Sequence, residues 1–327
     1  MSARIVLLGA GFSRNWGGWL ASEAFEYLLG CPQVDSDIRK LLWRYQRKGG
    51  FEDALTQLQD EFARKQDAHT EQRLAKLQDA IRQMFGDMDK AFAEITDFEP
   101  QKHIEYMVAS CLVRFDAIFT LNQDLLMERH YLNGNVGLSS YRQWNGWQNP
   151  GMKRLSREEM PEPSTTQWCP MPQSEFRVTP NSQPYFKLHG SSNWIDASNG
   201  QQLLVMGGNK TATINQHPIL KWYHECFKQY LAKPDVRLMV IGYSFGDHHI
   251  NEAIAEAADR STIRLFIIDP LGVDVLDKNR NAPIPGPDPL FTRLQAHIVG
   301  ASRRTVREIF GNDRVEHAKV MRFFGSG

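Results

Sequence analysis

Apolar and polar positions change period several times along the chain, and each change marks an element. Residues 4–8 (Arg-Ile-Val-Leu-Leu) form a short, almost wholly apolar run, as a strand covered on both faces of a parallel sheet requires. Gly9-Ala10-Gly11-Phe12-Ser13 breaks that run. From about 19 to 114 the pattern is helical: Ile38, Leu41, Leu42 and Tyr45 recur at helical spacing, as do Phe51, Leu55, Leu58 and Phe62, then Leu74, Leu77, Ile81 and Phe85. An all-helical module inserted after the first strand is the reading. Residues 115–121 predict a second buried strand, and Asn122-Gln123-Asp124 leads into a helical segment through about Tyr131.

Between 133 and 184 the periodicity dissolves. Trp144, Trp147 and Trp168 stand among seven prolines, too aromatic for a free linker and too broken for regular elements, so a long structured insertion or lid is expected. Alternation then resumes. Strands are predicted at 185–188, 203–206, 236–241 and 263–268, with helices at 219–231 and 247–258, and 271–327 reads as a helical extension. Strands alternating with helices mean an α/β fold, a doubly wound, Rossmann-like parallel sheet that takes ligands at the carboxyl ends of its strands. No internal repeat is evident, and 1–327 is read as one domain with two insertions.

Composition narrows the class. Thirty-eight Lys and Arg balance thirty-eight Asp and Glu, so no global field draws the chain to nucleic acid or to an anionic membrane, and no direct nucleic-acid binding is expected. No apolar run reaches the length of a membrane span and no signal-peptide core is visible, which predicts a cytoplasmic protein. The four cysteines, at 31, 111, 169 and 226, never form a C-x-x-C pair, so neither a zinc ribbon nor a disulfide framework is expected.

Four predicted strand ends carry polar or glycine-rich signatures. Gly9-Ala10-Gly11-Phe12-Ser13 suits close approach of backbone amides to a pyrophosphate, yet position 14 is Arg where a dinucleotide fingerprint has its third glycine, so a plain tight turn stays open. In Thr120-Leu121-Asn122-Gln123-Asp124 the polar residues either cap the next helix or orient a ribose or a water. Lys187-Leu188-His189-Gly190-Ser191 puts the best candidate general base at a strand end.

Gly242-Tyr243-Ser244-Phe245-Gly246-Asp247 is either a nucleotide-binding turn or the G-x-S-x-G elbow of a serine hydrolase, with Ser244, Asp269 and His297 in the hydrolase order. Asp269 equally suits a ribose hydrogen bond or a cap before Pro270. Asp247, His248, His249 and Glu252 contain no i, i+4 histidine pair, so capping and a solvated face are read there and no metal is expected.

In this order the four motifs resemble the sirtuin-like NAD-consuming family, and most closely its bacterial antiphage-defence branch. The resemblance runs from about residue 3 to 270. It implies that Asn122 and His189 are the catalytic pair, and that Gly9, Ala10, Gly11, Phe12, Ser13, Asp124, Gly242, Ser244, Phe245 and Asp269 surround NAD, which is substrate rather than resident cofactor. Phe51-Glu52-Asp53-Ala54-Leu55 also resembles a segment of that branch's helical module, with no chemical duty attached. The lack of a four-cysteine zinc module and the wide spacing between Asn122 and His189 separate the chain from the protein deacylases of the family. The implied activity is NAD hydrolysis, giving nicotinamide and ADP-ribose or a cyclised product, held inactive until a partner or assembly releases it. A homo-oligomer, and a partner such as a HerA-type ring ATPase or an Argonaute-like protein, are expected by analogy. A deacylase, a serine hydrolase and a non-catalytic sensor of NAD or ADP-ribose remain the alternatives.

Overall fold

A computed structural model describes residues 2–132, 144–155, 166–196, 200, 202–207, 210–260, 263–277 and 289–325. Strands β1 (Arg4–Leu8) and β2 (Ala117–Thr120) flank helices α1 (Ala10–Arg14), α2 (Ala21–Leu29), α3 (Ser36–Tyr45), α4 (Gly50–Lys65), α5 (Ala68–Ala93) and α6 (Val108–Leu112). Helix α7 (Leu126–His130) follows, then strands β3 (Trp147–Gln148), β4 (Met152–Arg154), β5 (Trp168–Pro170), β6 (Gln183–Lys187), β7 (Gly190–Ile195) and β8 (Gln202–Leu204). The chain continues through α8 (Lys210–Gln216), α9 (Pro218–Leu231), β9 (Arg237–Ile241), α10 (His248–Arg260), β10 (Arg264–Ile268), α11 (Pro289–Leu294), β11 (Ile298–Ser302), α12 (Val306–Gly311) and α13 (Arg314–Arg322).

Seven strands form one parallel sheet in the order β11-β10-β9-β1-β2-β6-β3. Period-two alternation sends Ile5, Leu7, Phe119, Leu238, Val240 and Ile267 to one face, where Leu220, Tyr223 and Phe227 of α9 and Ile250 and Ile254 of α10 cover them. Val6, Leu8, Ile118, Met239, Ile241 and Ile268 point the other way, against Phe12, Trp16, Phe92, Leu112, Ile309, Val320 and Phe323. Both faces are buried, which is why these strands read as continuous apolar runs. Helices α2–α5 pack on a third core containing Phe25, Leu28, Ile38, Leu42, Leu55, Leu58, Leu77 and Ile81.

The structure departs from the sequence reading in three places. The extension after residue 271 is not helical throughout: β11 pairs in parallel with β10 and ends the sheet. The described residues of the stretch from 133 to 184 include the short strands β3, which joins the main sheet, and β4 and β5, which join a second, four-stranded sheet, β4-β5-β7-β8. Residues 133–143 and 156–165 of that insertion, and 278–288 and 326–327 of the extension, lie outside the described residues. Third, the chain past His189, where the sequence predicts no strand before 203, forms β7. Gly190, at φ +75°, swings it out of the main sheet into β7, and a Cβ there would sit 2.0 Å from the Leu203 carbonyl oxygen.

Candidate active site

In the sheet order, β1 lies between β2 and β9, so the chain winds outward from it in both directions. In such sheets the crevice at the carboxyl edge beside the reversal is where ligands bind. Gly9 follows β1, Asn122 follows β2, His189 follows β6, Gly242 follows β9 and Asp269 follows β10. One edge therefore carries the motifs of all five strand ends.

The two glycine turns close on each other. Gly9 N donates to Ile241 O and Gly11 N to Gly242 O, both at 2.9 Å. A Cβ on Gly9 would lie 2.5 Å from the Gly242 carbonyl oxygen, and one on Gly242, at φ +62°, would lie 2.3 Å from the Gly11 carbonyl carbon. These glycines are needed first for turn-to-turn packing. Beside them Ala10 is exposed, and Phe12 is fully buried with its ring centroid 5.1 Å from that of Trp16.

Asn122 is held by the first turn. Its Nδ2 donates to Gly9 O and to Ser13 Oγ, each at 3.0 Å, and its own amide donates to Thr120 Oγ1. The Ser13 hydroxyl in turn hydrogen-bonds the Asp124 carboxylate, which also accepts from Leu126 N at 3.1 Å. Burial pushes the Asp124 carboxyl above the usual carboxylate range, against the pull of nearby Lys187. Lys187 is itself fully buried. Its Nζ donates to Asp124 O at 2.6 Å and to Glu128 Oε1 at 2.7 Å, pinning the segment that bears Asn122 to β6.

His189 is 4% exposed. Gln123 Nε2 and Val205 N both donate to its carbonyl oxygen, at 3.1 and 2.9 Å, so the segment after β2 and the stretch after β8 fix its backbone together. Its Nε2 faces His249 Nε2 at 3.2 Å, and the His224 ring stands 5.1 Å from that of His249. Burial lowers the pKa of all three histidines, His189 well below the ordinary value and His224 to about 4. Neutral imidazoles result, which suits a base. Burial alone would push the Asp247 carboxyl up, but the Lys210 ammonium, paired and hydrogen-bonded with it, holds it below the usual range. Lys210 bridges Asp247 Oδ1, at 2.9 Å, to Glu52 Oε2, at 3.0 Å.

The G-x-S-x-G constellation does not assemble. Ser244, exposed, and Asp269 follow the carboxyl ends of β9 and β10, whereas His297 immediately precedes β11, with its Nδ1 3.3 Å from Ile263 O just before β10. It therefore sits at the opposite edge of the parallel sheet from Ser244, so a five-residue strand, roughly 16 Å at 3.3 Å per residue, intervenes. The serine-hydrolase alternative falls on that distance. Phe245, at φ +52°, is fully buried with its ring 4.9 Å from that of Tyr243, as part of the core. Asp269 Oδ1 accepts from Leu271 N at 2.8 Å, the capping contact, and burial raises its pKa. The four cysteines are each buried and free.

Asp247 and His249, read from the sequence as capping and a solvated face, are instead half-buried, paired with Lys210 and facing His189 respectively. The sequence reading also missed Gln123 as the anchor of His189, Lys210 as the bridge, and His224. A signal for the last existed, since Leu220, His224 and Phe227 fall on one helical stripe whose other members are buried.

The sheet, its reversal at β1 and the polar edge define a Rossmann-like α/β protein. A family model described as a SIR2-like domain matches residues 116–282, from the residue before β2 to beyond β10. The chain belongs to the SIR2-like family, whose members use NAD. Asn122, Asp124, His189, Gly242, Ser244 and Asp269 fall within the match, while the Gly9–Ser13 turn and helices α2–α6 precede it. Comparison with curated proteins gives no match. Among the described residues, no helix is long and apolar enough to cross a membrane.

Proposed function

We propose that the protein is an NAD glycohydrolase that breaks the bond between ribose and nicotinamide. The observation that carries this reading is the placement of Asn122 and His189 just beyond the carboxyl ends of neighbouring parallel strands, β2 and β6, with Asn122 hydrogen-bonded to the glycine turn of β1. Loss of nicotinamide builds oxocarbenium-like charge on the ribose, so the reaction needs anchored phosphates, a held sugar and a base for water. The C1′–N bond breaks with its electron pair leaving on nicotinamide. Water then bonds to C1′ and gives its proton to neutral His189, while Asn122 orients the water or the ribose. A ribose hydroxyl attacking in place of water gives the cyclised product. Ala10 and Ser13, beside Gly9, Gly11 and Gly242, flank the phosphates in this reading, and Ser244 and Asp269 flank the nucleoside.

His189 is nearly inaccessible and its Nε2 is engaged by His249, which supports a resting form that a partner or assembly must open. Such control suits an enzyme that empties a cell of NAD in antiphage defence, where a HerA-type ring ATPase or an Argonaute-like protein is the kind of partner proposed. The test is nicotinamide release from NAD by the purified protein, with and without neighbouring-gene products. General-base catalysis contributes roughly a hundred- to ten-thousand-fold. His189→Ala should lose at least that much while keeping its fold, and Asn122→Ala should be similarly impaired. Near-normal hydrolysis by folded His189→Ala would refute the assignment.

A further inference from the structure

Three imidazoles converge beside the carboxyl edge from three separate elements: His189 after β6, His224 on α9 and His249 in the first turn of α10. Each offers one ring nitrogen, and the three nitrogens lie within 4.8 Å of one another. Nε2 of His189 and Nε2 of His249 face each other at 3.2 Å, where between neutral imidazoles one ring donates its N–H and the other accepts on its lone pair. That spacing has a second meaning. Two nitrogens on a tetrahedral ion, each at about 2.0–2.1 Å, stand about 3.3 Å apart.

We propose that His189, His224 and His249 form a site for a divalent transition-metal ion of the zinc class. The His189–His249 edge already has the length such an ion needs, and the widest edge, at most 4.8 Å, closes by about 1.5 Å on rotation of a ring. His224 carries the outer-shell contact common to histidine ligands: its Nε2 lies 3.0 Å from Leu188 O, which fixes the tautomer and leaves the lone pair on the other nitrogen. All-nitrogen donors suit zinc, copper or nickel rather than magnesium or calcium. The neighbouring Glu52–Lys210–Asp247 chain, two carboxylates around one ammonium, supplies one net negative charge toward a dication. Three histidines leave a fourth position for water, and the ion takes His189 Nε2 out of use.

That last consequence rests on the proposed role of His189 as base. It makes the ion an inhibitor of hydrolysis.

The experiment titrates chelator-treated full-length protein with Zn²⁺ against a chromophoric chelator, and with Co²⁺ as a spectroscopic probe. One Zn²⁺ per chain, visible absorption of tetrahedral Co²⁺, and affinity weakened by more than roughly a hundredfold in both His224→Ala and His249→Ala are expected, since losing a ligand exceeds the cost of losing an outer-shell contact. No saturable Zn²⁺ binding by the wild type, or binding unchanged in either folded variant, overturns the proposal. If a variant does not fold, the tetrahedral Co²⁺ spectrum of the wild type and its loss in His249→Gln decide. Nicotinamide release is read separately: Zn²⁺ at saturation should stop it, and undiminished release overturns the inhibitory role. Stoichiometric metal binding by a chain that releases no nicotinamide with any partner supports the site and counts against the glycohydrolase reading alone.

Discussion

Replacing Lys187 with Met should cost more stability than any other single change at the site edge. Its side chain is fully buried, Glu128 is 1% exposed, and Lys187 Nζ is the partner of both Glu128 Oε1 and Asp124 O. Lys187 is the ion-pair partner of Glu128 and the strongest influence opposing its burial, so the ammonium is the main compensation for that buried carboxylate. Breaking a buried pair from one side costs about 3–5 kcal/mol, most of it the stranded charge, whereas replacing both partners with apolar residues is often close to neutral. Lys187→Met/Glu128→Leu should therefore recover all but the one hydrogen bond to Asp124 O, about 1 kcal/mol.

The pH dependence has a definite sign. Burial already raises the Glu128 pKa, and Lys187 opposes the rise; without Lys187 the folded-state pKa climbs further. A group whose folded pKa exceeds its unfolded value of about 4.3 destabilises above that value and not below it. The Lys187→Met deficit should shrink as pH falls from 7.5 toward 5. Urea unfolding of the wild type, both single variants and the double variant at the two pH values tests this. A single-variant loss below about 1 kcal/mol, or a double variant no better than Lys187→Met, refutes the reasoning.

Gly190→Ala should lose about 1–3 kcal/mol to the positive φ alone, and more because its Cβ meets Leu203 O at 2.0 Å; an unchanged urea midpoint would contradict the role given to that turn. Lys210→Met cuts both ion pairs that join α4 to the start of α10, and amide exchange across α4 and residues 205–207 should speed up under native conditions; unchanged protection there would show that the bridge holds nothing in place. All four thiols are buried, with Cys111 and Cys226 raised by burial to about 12, so none should react with a thiol reagent at pH 8 before unfolding. A fast-labelling thiol in the native protein would disprove that packing.

Legibility followed burial. Strands β1, β2, β9 and β10 lie under helices on both faces, so their sequences are apolar throughout and announce themselves. Strand β11 does not: Ile298-Val299-Gly300-Ala301-Ser302 closes the sheet at an edge, is mostly half-exposed and contains a glycine. Strand β7, Gly190-Ser191-Ser192-Asn193-Trp194-Ile195, is largely polar and owes its form to β5 and β8, partners that no local period encodes. At the site, strand-end positions showed that Gly9, Asn122 and His189 share an edge, because topology alone puts them there. That Gly9 and Gly11 pack on Gly242, that Gln123 anchors His189, and that His249 faces it are products of tertiary packing with no sequence spacing to reveal them; for His224 the helical stripe marks a buried position but not the neighbour it meets.

The segment Phe51-Glu52-Asp53-Ala54-Leu55 acquires a duty from this geometry. Phe51, Ala54 and Leu55 lie at helical spacing in the core of α2–α5, while Glu52 reaches out of it to Lys210 and, at 3.4 Å, to Gly207 N. The neighbouring residues are equally committed. Val205 N holds the His189 carbonyl, Met206 is buried in the helical core, and Gly207, at φ +95°, lies so close to α4 that a Cβ would meet Thr56 Oγ1 at 2.1 Å. Three consecutive residues thus bind the backbone of the proposed base to the helical module. Packed cores shift as units rather than stretch, so a displacement of α4 must either break the Glu52 contacts or draw Val205 away from His189. A protein that docks on the module and never enters the site therefore has a physical route to the base, and on the proposed reading that route is what an activating partner would use.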